Sequence, residues 1–264
     1  MTGRAKNAEA ARGVSVHAVE GLPLLGPGDD LPALLLGALG KNGFTLQDGD
    51  VLVVAQKAVS KVEGRQVRLA DVVVSAQSRA IAPEADKPAE IVELIRGESD
   101  ELMRVRPGVI IARHKSGVVA ANAGIDASNV APPEAETVLL WPKDPDASAR
   151  RIREAVQWGA GVRIAVIISD SLGRAWRLGT TGAAIGVAGM KPLRDRCGET
   201  DLYGRTLQAT IVAVADEIAA AASLVMGEAA EGVPAAIVRG ARYEPCEESD
   251  LRALLRPREE DLFP

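Results

Sequence analysis

An apolar run, Val162-Arg-Ile-Ala-Val-Ile-Ile-Ser169, leads to an aspartate, Asp170, and then into Ser171-Leu-Gly-Arg174-Ala-Trp-Arg177-Leu-Gly-Thr180-Thr181-Gly182. The run reads as a strand covered on both faces, with Asp170 at its end and a Gly/Arg/Thr-rich loop beyond it. Arg174, Arg177 and nearby Lys191 are predicted to gather there. A carboxylate among flexible backbone N–H donors and guanidinium groups suits a metal-bound phosphate or a polyanionic substrate. A plain strand-to-loop turn capped by Asp is the alternative reading.

Three other segments carry chemistry of the same kind. Lys57 and Lys61 stand four residues apart just past a strand, so on a helix they share one face. Two ammonium groups that close repel unless an anion lies between them, which makes a phosphate clamp; a solvated helix start is the bland alternative. Asp126-x-x-Asn129, in a Gly-containing loop, offers a hard oxygen for Mg²⁺ or Mn²⁺ and an amide for a base or phosphate, although loops also use Asp and Asn simply to turn. Met226-Gly227-Glu228-Ala-Ala-Glu231-Gly232-Val233 reads as a Gly-punctuated turn between a helix and a strand, with Glu228 a possible third oxygen ligand or a helix cap followed by a turn.

The elements that must position these groups are legible in outline. Strands are predicted over Val14–Val19, Asp50–Ala55 and Pro234–Gly240, and a hairpin over Val109–Ala112 and Val118–Ala121. Helices are predicted over Leu31–Leu39, Ala89–Arg96, Ala147–Trp158 and Thr206–Met226. The Pro-rich stretch Ala131–Pro145 reads as a domain boundary or surface crossing. Residues 1–12 read as a disordered tail, and the charged segment after Glu244 as a mobile one.

Composition narrows the class. The 264 residues can bury a substantial core, and with aromatics at 3% that core must be Val, Ile, Leu and Ala, which favours an α/β or α+β protein. A net charge of −5 without a lysine block argues against a nucleic-acid face. Cys197 and Cys246 form no metal-ligand pattern, so a reduced, cytoplasmic chain is expected, and no signal peptide or membrane span is evident. Walker-type, dinucleotide-fingerprint and nucleophile-elbow motifs are absent, and His17 and His114 are isolated. Metal-assisted phosphate chemistry is therefore favoured over a nucleophilic Ser or Cys.

Seven segments in order resemble the coenzyme F420-0:L-glutamate ligase (γ-glutamyl ligase) family in its stand-alone form. They are Gly21-Leu-Pro-Leu-Leu25, Gln56-Lys-Ala-Val-Ser-Lys-Val-Glu-Gly-Arg65, Asn122-Ala-Gly-Ile-Asp-Ala-Ser-Asn129, Asp170 to Thr181, Ala184-Ile-Gly-Val-Ala-Gly189, Asp201-Leu-Tyr-Gly-Arg205 and Leu224-Val-Met-Gly-Glu228. Each is weak alone, and their shared order is what carries the resemblance.

The resemblance implies a family-specific α+β fold over residues 13–245, with two intertwined lobes and a homodimer; residues 246–264 read, from their charge, as a tail. It implies a GTP-dependent ligase that adds one or more L-glutamates to F420-0 through an acyl phosphate, using Mg²⁺ or Mn²⁺, with K⁺ a further candidate. Leu22, Pro23, Leu24, Leu25, Gln56, Lys57, Lys61 and Asn129 fall at nucleotide positions, as do Met226, Gly227, Glu228, Ala229, Ala230, Glu231, Gly232 and Val233. Asp126, Asp170, Ser171 and Glu228 fall at metal positions, and Asp170, Lys61 and Arg174 are the catalytic candidates. Ser171 is a hydroxyl where a carboxylate would bind metal more firmly, and Cys197 stands where the family usually has Arg. A binding relative without ligase activity, and a ligase for another acidic acceptor, are the alternative readings.

Overall fold

A computed structural model describes residues 13–130 and 135–261. In chain order the elements are β1 (Ser15–Ala18), α1 (Leu31–Lys41), β2 (Val51–Ala55), α2 (Gln56–Val62), β3 (Gln66–Arg68), α3 (Ala76–Ala85), α4 (Ala89–Glu98), β4 (Ser99–Arg106), β5 (Val109–His114) and β6 (Val119–Ala121). There follow β7 (Thr137–Leu139), α5 (Pro145–Ala160), β8 (Ala165–Arg174), β9 (Arg177–Met190), β10 (Arg194–Asp195), β11 (Ile211–Val212), α6 (Val214–Met226), β12 (Ala235–Arg239) and β13 (Pro245–Cys246). The class is α+β, as expected: one six-stranded mixed sheet and several small sheets.

The main sheet runs β1-β12-β2-β8-β9-β13. Within it only β2 and β8 pair in parallel, and the paired stretches Val51–Ala55 and Ala165–Ile168 are continuous apolar runs because both their faces are covered. Helix α1 starts where the Asp30 carboxylate accepts the Ala33 N–H, and α5 starts where Asp144 accepts that of Ala147. Gly161 closes α5 in the left-handed conformation at φ 70°. A second, smaller apolar cluster joins Ala85, Val92, Ile95, Ile110, Ala112 and Ala123 between α3, α4 and β5, beside the sheet β4-β5-β6.

Several expectations need correction. The Gly/Arg/Thr-rich stretch is no loop: Asp170–Arg174 continues β8, and Arg177–Met190 returns beside it as β9. Two glycines of β9 serve packing. A Cβ at Gly182 would stand 2.6 Å from the Ala219 carbonyl oxygen of α6, and one at Gly186 would stand 2.6 Å from the Pro145 carbonyl of α5. A bulge at Ile185 frees the Ala184 N–H, which donates instead to Asp216 Oδ1 at 2.9 Å.

The long helix starts at Val214 rather than Thr206, because the β-branched run Thr210-Ile211-Val212 is extended and pairs with β10. Residues 131–134 of the Pro-rich stretch, like the tail 1–12, lie outside the described residues. The rest of that stretch is not a surface crossing, since Leu139, Leu140 and Trp141 are buried. The segment after Glu244 is not a loose tail either. Leu251 is buried in the main core, and Arg153 pairs with Glu247 through two hydrogen bonds of 2.5 and 2.7 Å.

Candidate active site

The parallel pair sets the site. Register places Ala55, the last residue of β2, beside Ser169, so Asp170 emerges just where β2 turns into α2. The strand end predicted for Asp170 is therefore its neighbour's. This is the carboxyl end of a parallel pair, the place where such sheets bind ligands. It also brings α2, which carries Gln56, Lys57 and Lys61, to the same end of the sheet, where Lys57 reaches Asp126.

Asp170 is held at both oxygens: the Ser171 N–H donates to Oδ1 at 2.9 Å, and the Trp141 indole N–H donates to Oδ2 at 2.8 Å. Burial nevertheless pushes its carboxyl up to about 6, against those two hydrogen bonds, and the Asp126 charge pushes the same way. Asp126 shows the opposite balance. Burial raises it, but the Lys57 ammonium 2.6 Å away and the Ser128 N–H and hydroxyl, at 2.7 and 2.8 Å, hold it below the ordinary value. Lys61 lies below its usual range, first through burial and then through the charge of Lys57, which supports the predicted crowding of these two ammonium groups.

The Gly-punctuated turn joins from the far end of the chain. The Ser171 hydroxyl lies 2.6 Å from both carboxylate oxygens of Glu228. The Asn129 side chain, in the left-handed region at φ 55°, donates to the Ala229 carbonyl at 2.7 Å and so ties two predicted segments together. Gly227 has φ 76°, and a Cβ there would meet the Glu231 side chain, whose carboxylate accepts the Ala229 N–H. Gln56 is buried, with its carbonyl accepting from Ser60 while its Nε2 has no hydrogen-bond partner among the described residues. Leu22 and Leu25 pack on the main core, Leu24 is exposed, and the loop after them is fastened to α2 by the Gly28 N–H and the Val62 carbonyl.

Other predicted groups stand apart. Arg174 and Arg177 face each other at the exposed tip of the β8–β9 hairpin, where Trp176 makes the turn at φ 61°. Four extended residues carry Arg174 about 13 Å along the strand from Asp170. Lys191 sits beyond the other end of β9, paired with Glu244, so the three cations do not gather. Cys197 is exposed, with its thiol 3.4 Å from the Gln208 carbonyl, and Arg196 pairs with Glu199. The residue the sequence analysis passes over is Trp141, inside the Pro-rich stretch; the apolar run Val138-Leu-Leu-Trp141 was the signal of burial rather than of a boundary.

The donor set of Asp126, Asp170, Ser171 and Glu228 consists of hard oxygens, suited to Mg²⁺ or Mn²⁺. The raised carboxyl of Asp170, facing the charge of Asp126, is the observation that fits a cation here. Among the described residues no three His, Cys, Asp or Glu groups already form a metal cluster, and Asp126 is engaged by Lys57 instead.

Carboxylates, a lysine and a glycine-bounded turn thus converge at the end of a parallel strand pair in an α+β frame, an arrangement whose chemistry suits a polyanionic small molecule. The family model for F420-0:Gamma-glutamyl ligase matches residues 21–240. The coenzyme F420:L-glutamate ligase of Methanothermobacter thermautotrophicus is 48% identical over 95% of this chain and 99% of its own length. The enzyme of that name from Archaeoglobus fulgidus is 44% identical over 95% and 96%, and that from Methanopyrus kandleri 42% identical over 95% and 99%. The chain belongs to the F420-0:gamma-glutamyl ligase family.

Proposed function

We propose that this protein is a coenzyme F420:L-glutamate ligase, joining L-glutamate to F420-0 in coenzyme F420 biosynthesis. Full-length identity to ligases of that name supports the activity. The observation that supports its location is the meeting of Asp170, Ser171, Glu228, Asp126 and Lys57 at the end of β2 and β8.

Amide formation from a carboxylate and an amine needs an activated carboxylate. GTP is the proposed activator, its γ-phosphoryl passing to the F420-0 carboxylate before the glutamate amine displaces phosphate. The protein's part is alignment and charge neutralisation. Lys57 and Lys61 offset phosphate charge, and the low position of Lys61 favours an anion beside it. Gln56, Asn129 and the turn from Met226 to Val233 are assigned to the nucleotide, together with Leu22–Leu25. The unpaired Gln56 amide supports that assignment. Asp126, Asp170 and Glu228, with Ser171 between the last two, would hold Mg²⁺ or Mn²⁺. The ion, when bound, would supply charge compensation on the phosphate oxygens. K⁺ is a further proposed participant.

A homodimer is proposed from two exposed regions. Leu178 at the hairpin tip is 99% exposed, and Leu202 and Tyr203 are 99% and 95% exposed. A second copy covering the tip would also give Arg174 and Arg177 acidic substrate groups to bind. Residues 13–245 are proposed as the ligase unit with two lobes, matching the two apolar clusters.

Acyl-phosphate chemistry has a direct test. F420-0 labelled with heavy oxygen in its terminal carboxylate is expected to yield phosphate carrying one labelled oxygen. Unlabelled phosphate from a reaction that does form the amide would refute the intermediate.

A further inference from the structure

Trp141 lies where the site's two half-buried aspartates can be set relative to each other. Its side chain is fully buried, and its indole N–H ends on Asp170 Oδ2 at 2.8 Å. Two residues upstream, Leu139 exchanges backbone hydrogen bonds with Asp126, at 2.8 Å from the Leu139 N–H and 3.1 Å from that of Asp126. One short segment therefore grips both carboxylate residues, one through its backbone and one through an indole.

The segment is itself immobilised. Arg65 Nε donates to the Trp141 carbonyl at 2.7 Å, and the Leu140 N–H donates to the Arg65 carbonyl at 3.1 Å. The His114 ring lies against the indole with centroids 4.9 Å apart. Gly124, at φ 72°, leaves the space the ring occupies, since a Cβ there would stand 2.0 Å from the indole Cε2. A carboxylate bonded at only one oxygen turns about its Cβ–Cγ bond. With Ser171 on Oδ1 and Trp141 on Oδ2, the plane of Asp170 is set.

We propose that Trp141 is a positioning residue that orients Asp170 for a divalent cation, with Gly124 as the notch that admits its ring. The proposal rests on the reading of Asp170 as a metal ligand. Partners that orient ligands from behind typically govern metal affinity by about 10- to 100-fold.

The test is Mn²⁺ binding alone, followed by the resonance signal of free Mn²⁺ for the wild type, Trp141→Phe, Gly124→Ala and Asp170→Asn, each checked for native circular dichroism. In parallel, wild-type tryptophan emission is read at its blue edge during the Mn²⁺ titration, with acrylamide silencing exposed Trp158 and Trp176. Trp141→Phe and Gly124→Ala are expected to bind Mn²⁺ about 10-fold more weakly, and the buried emission is expected to be quenched as the ion binds. If Asp170→Asn binds like the wild type, the metal-ligand reading falls and takes this proposal with it. If Asp170→Asn loses the ion while folded Trp141→Phe keeps wild-type affinity, the positioning role alone is overturned. Should Trp141→Phe fail to fold, the wild-type titration decides, because Mn²⁺ bound without quenching contradicts contact between Trp141 and the ligand.

Discussion

At the scale of single residues, the site is built on a charge that the fold holds at a cost. The folded carboxyl of Asp170 is raised from 3.8 to about 6, chiefly by burial. The native state therefore binds more protons than the unfolded chain across that interval, and stability without metal falls as pH rises through it. Asp170→Asn removes the titration, although its amide turns an NH2 toward one of the two N–H donors that the carboxylate accepts, a cost that does not vary with pH. The variant is expected to lose ligation, and its stability relative to the wild type is expected to rise by about 3 kcal/mol between pH 3.8 and neutral. Urea titrations at the two pH values check it, and a difference from the wild type that is the same at both would contradict the burial account. Lys57 supplies a second check. Removing its ammonium from 2.6 Å beside Asp126 in Lys57→Ala deletes the contact that holds Asp126 low, so the Asp126 resonance is expected to titrate at higher pH than in the wild type. An unmoved titration would show that the Ser128 hydrogen bonds suffice.

At the scale of elements, the sequence was readable where apolar patterning is clear. The apolar spacing of Ile152, Ala155 and Val156 announced α5, and the apolar runs of β2, β8 and β12 announced the central sheet, while the caps Asp30 and Asp144 emerge only in the structure. The glycines of β9 misled, because glycine in a strand reads equally as a loop or as the close approach of another backbone. Here α5 and α6 use Gly186 and Gly182 to approach, a fact set by residues distant in sequence. The site followed the same division. Asp126, Asn129, Asp170 and Glu228 could be picked out by type, whereas Trp141 and Ser128 act only through contacts that folding creates. Gly182→Ala is expected to destabilise the fold by about 1–3 kcal/mol through overlap with the Ala219 carbonyl. The same change at Gly173, which has open space around it, is expected to cost well under that. Equal losses in denaturant titrations would mean that strand propensity, not helix packing, governs this hairpin.

At the scale of the whole molecule, Asp126, Asp170 and Glu228 come from three separate stretches of chain, so the site exists only once the central sheet has closed. Arg174 and Arg177 project away from it on the hairpin, with the fully exposed Leu178 beside them. Leu178→Glu is accordingly expected to shift the protein from dimer to monomer in sedimentation velocity, with circular dichroism unchanged. A wild-type monomer would remove the proposed role for the hairpin tip. The most direct test of the central claim is mass spectrometry of the acceptor after incubating the purified protein with F420-0, L-glutamate, GTP and Mn²⁺. F420-0 extended by one or more glutamyl residues, with GDP formed in step and neither product from Asp170→Asn, is the predicted result. Unchanged F420-0 under conditions where the folded protein binds nucleotide would contradict it.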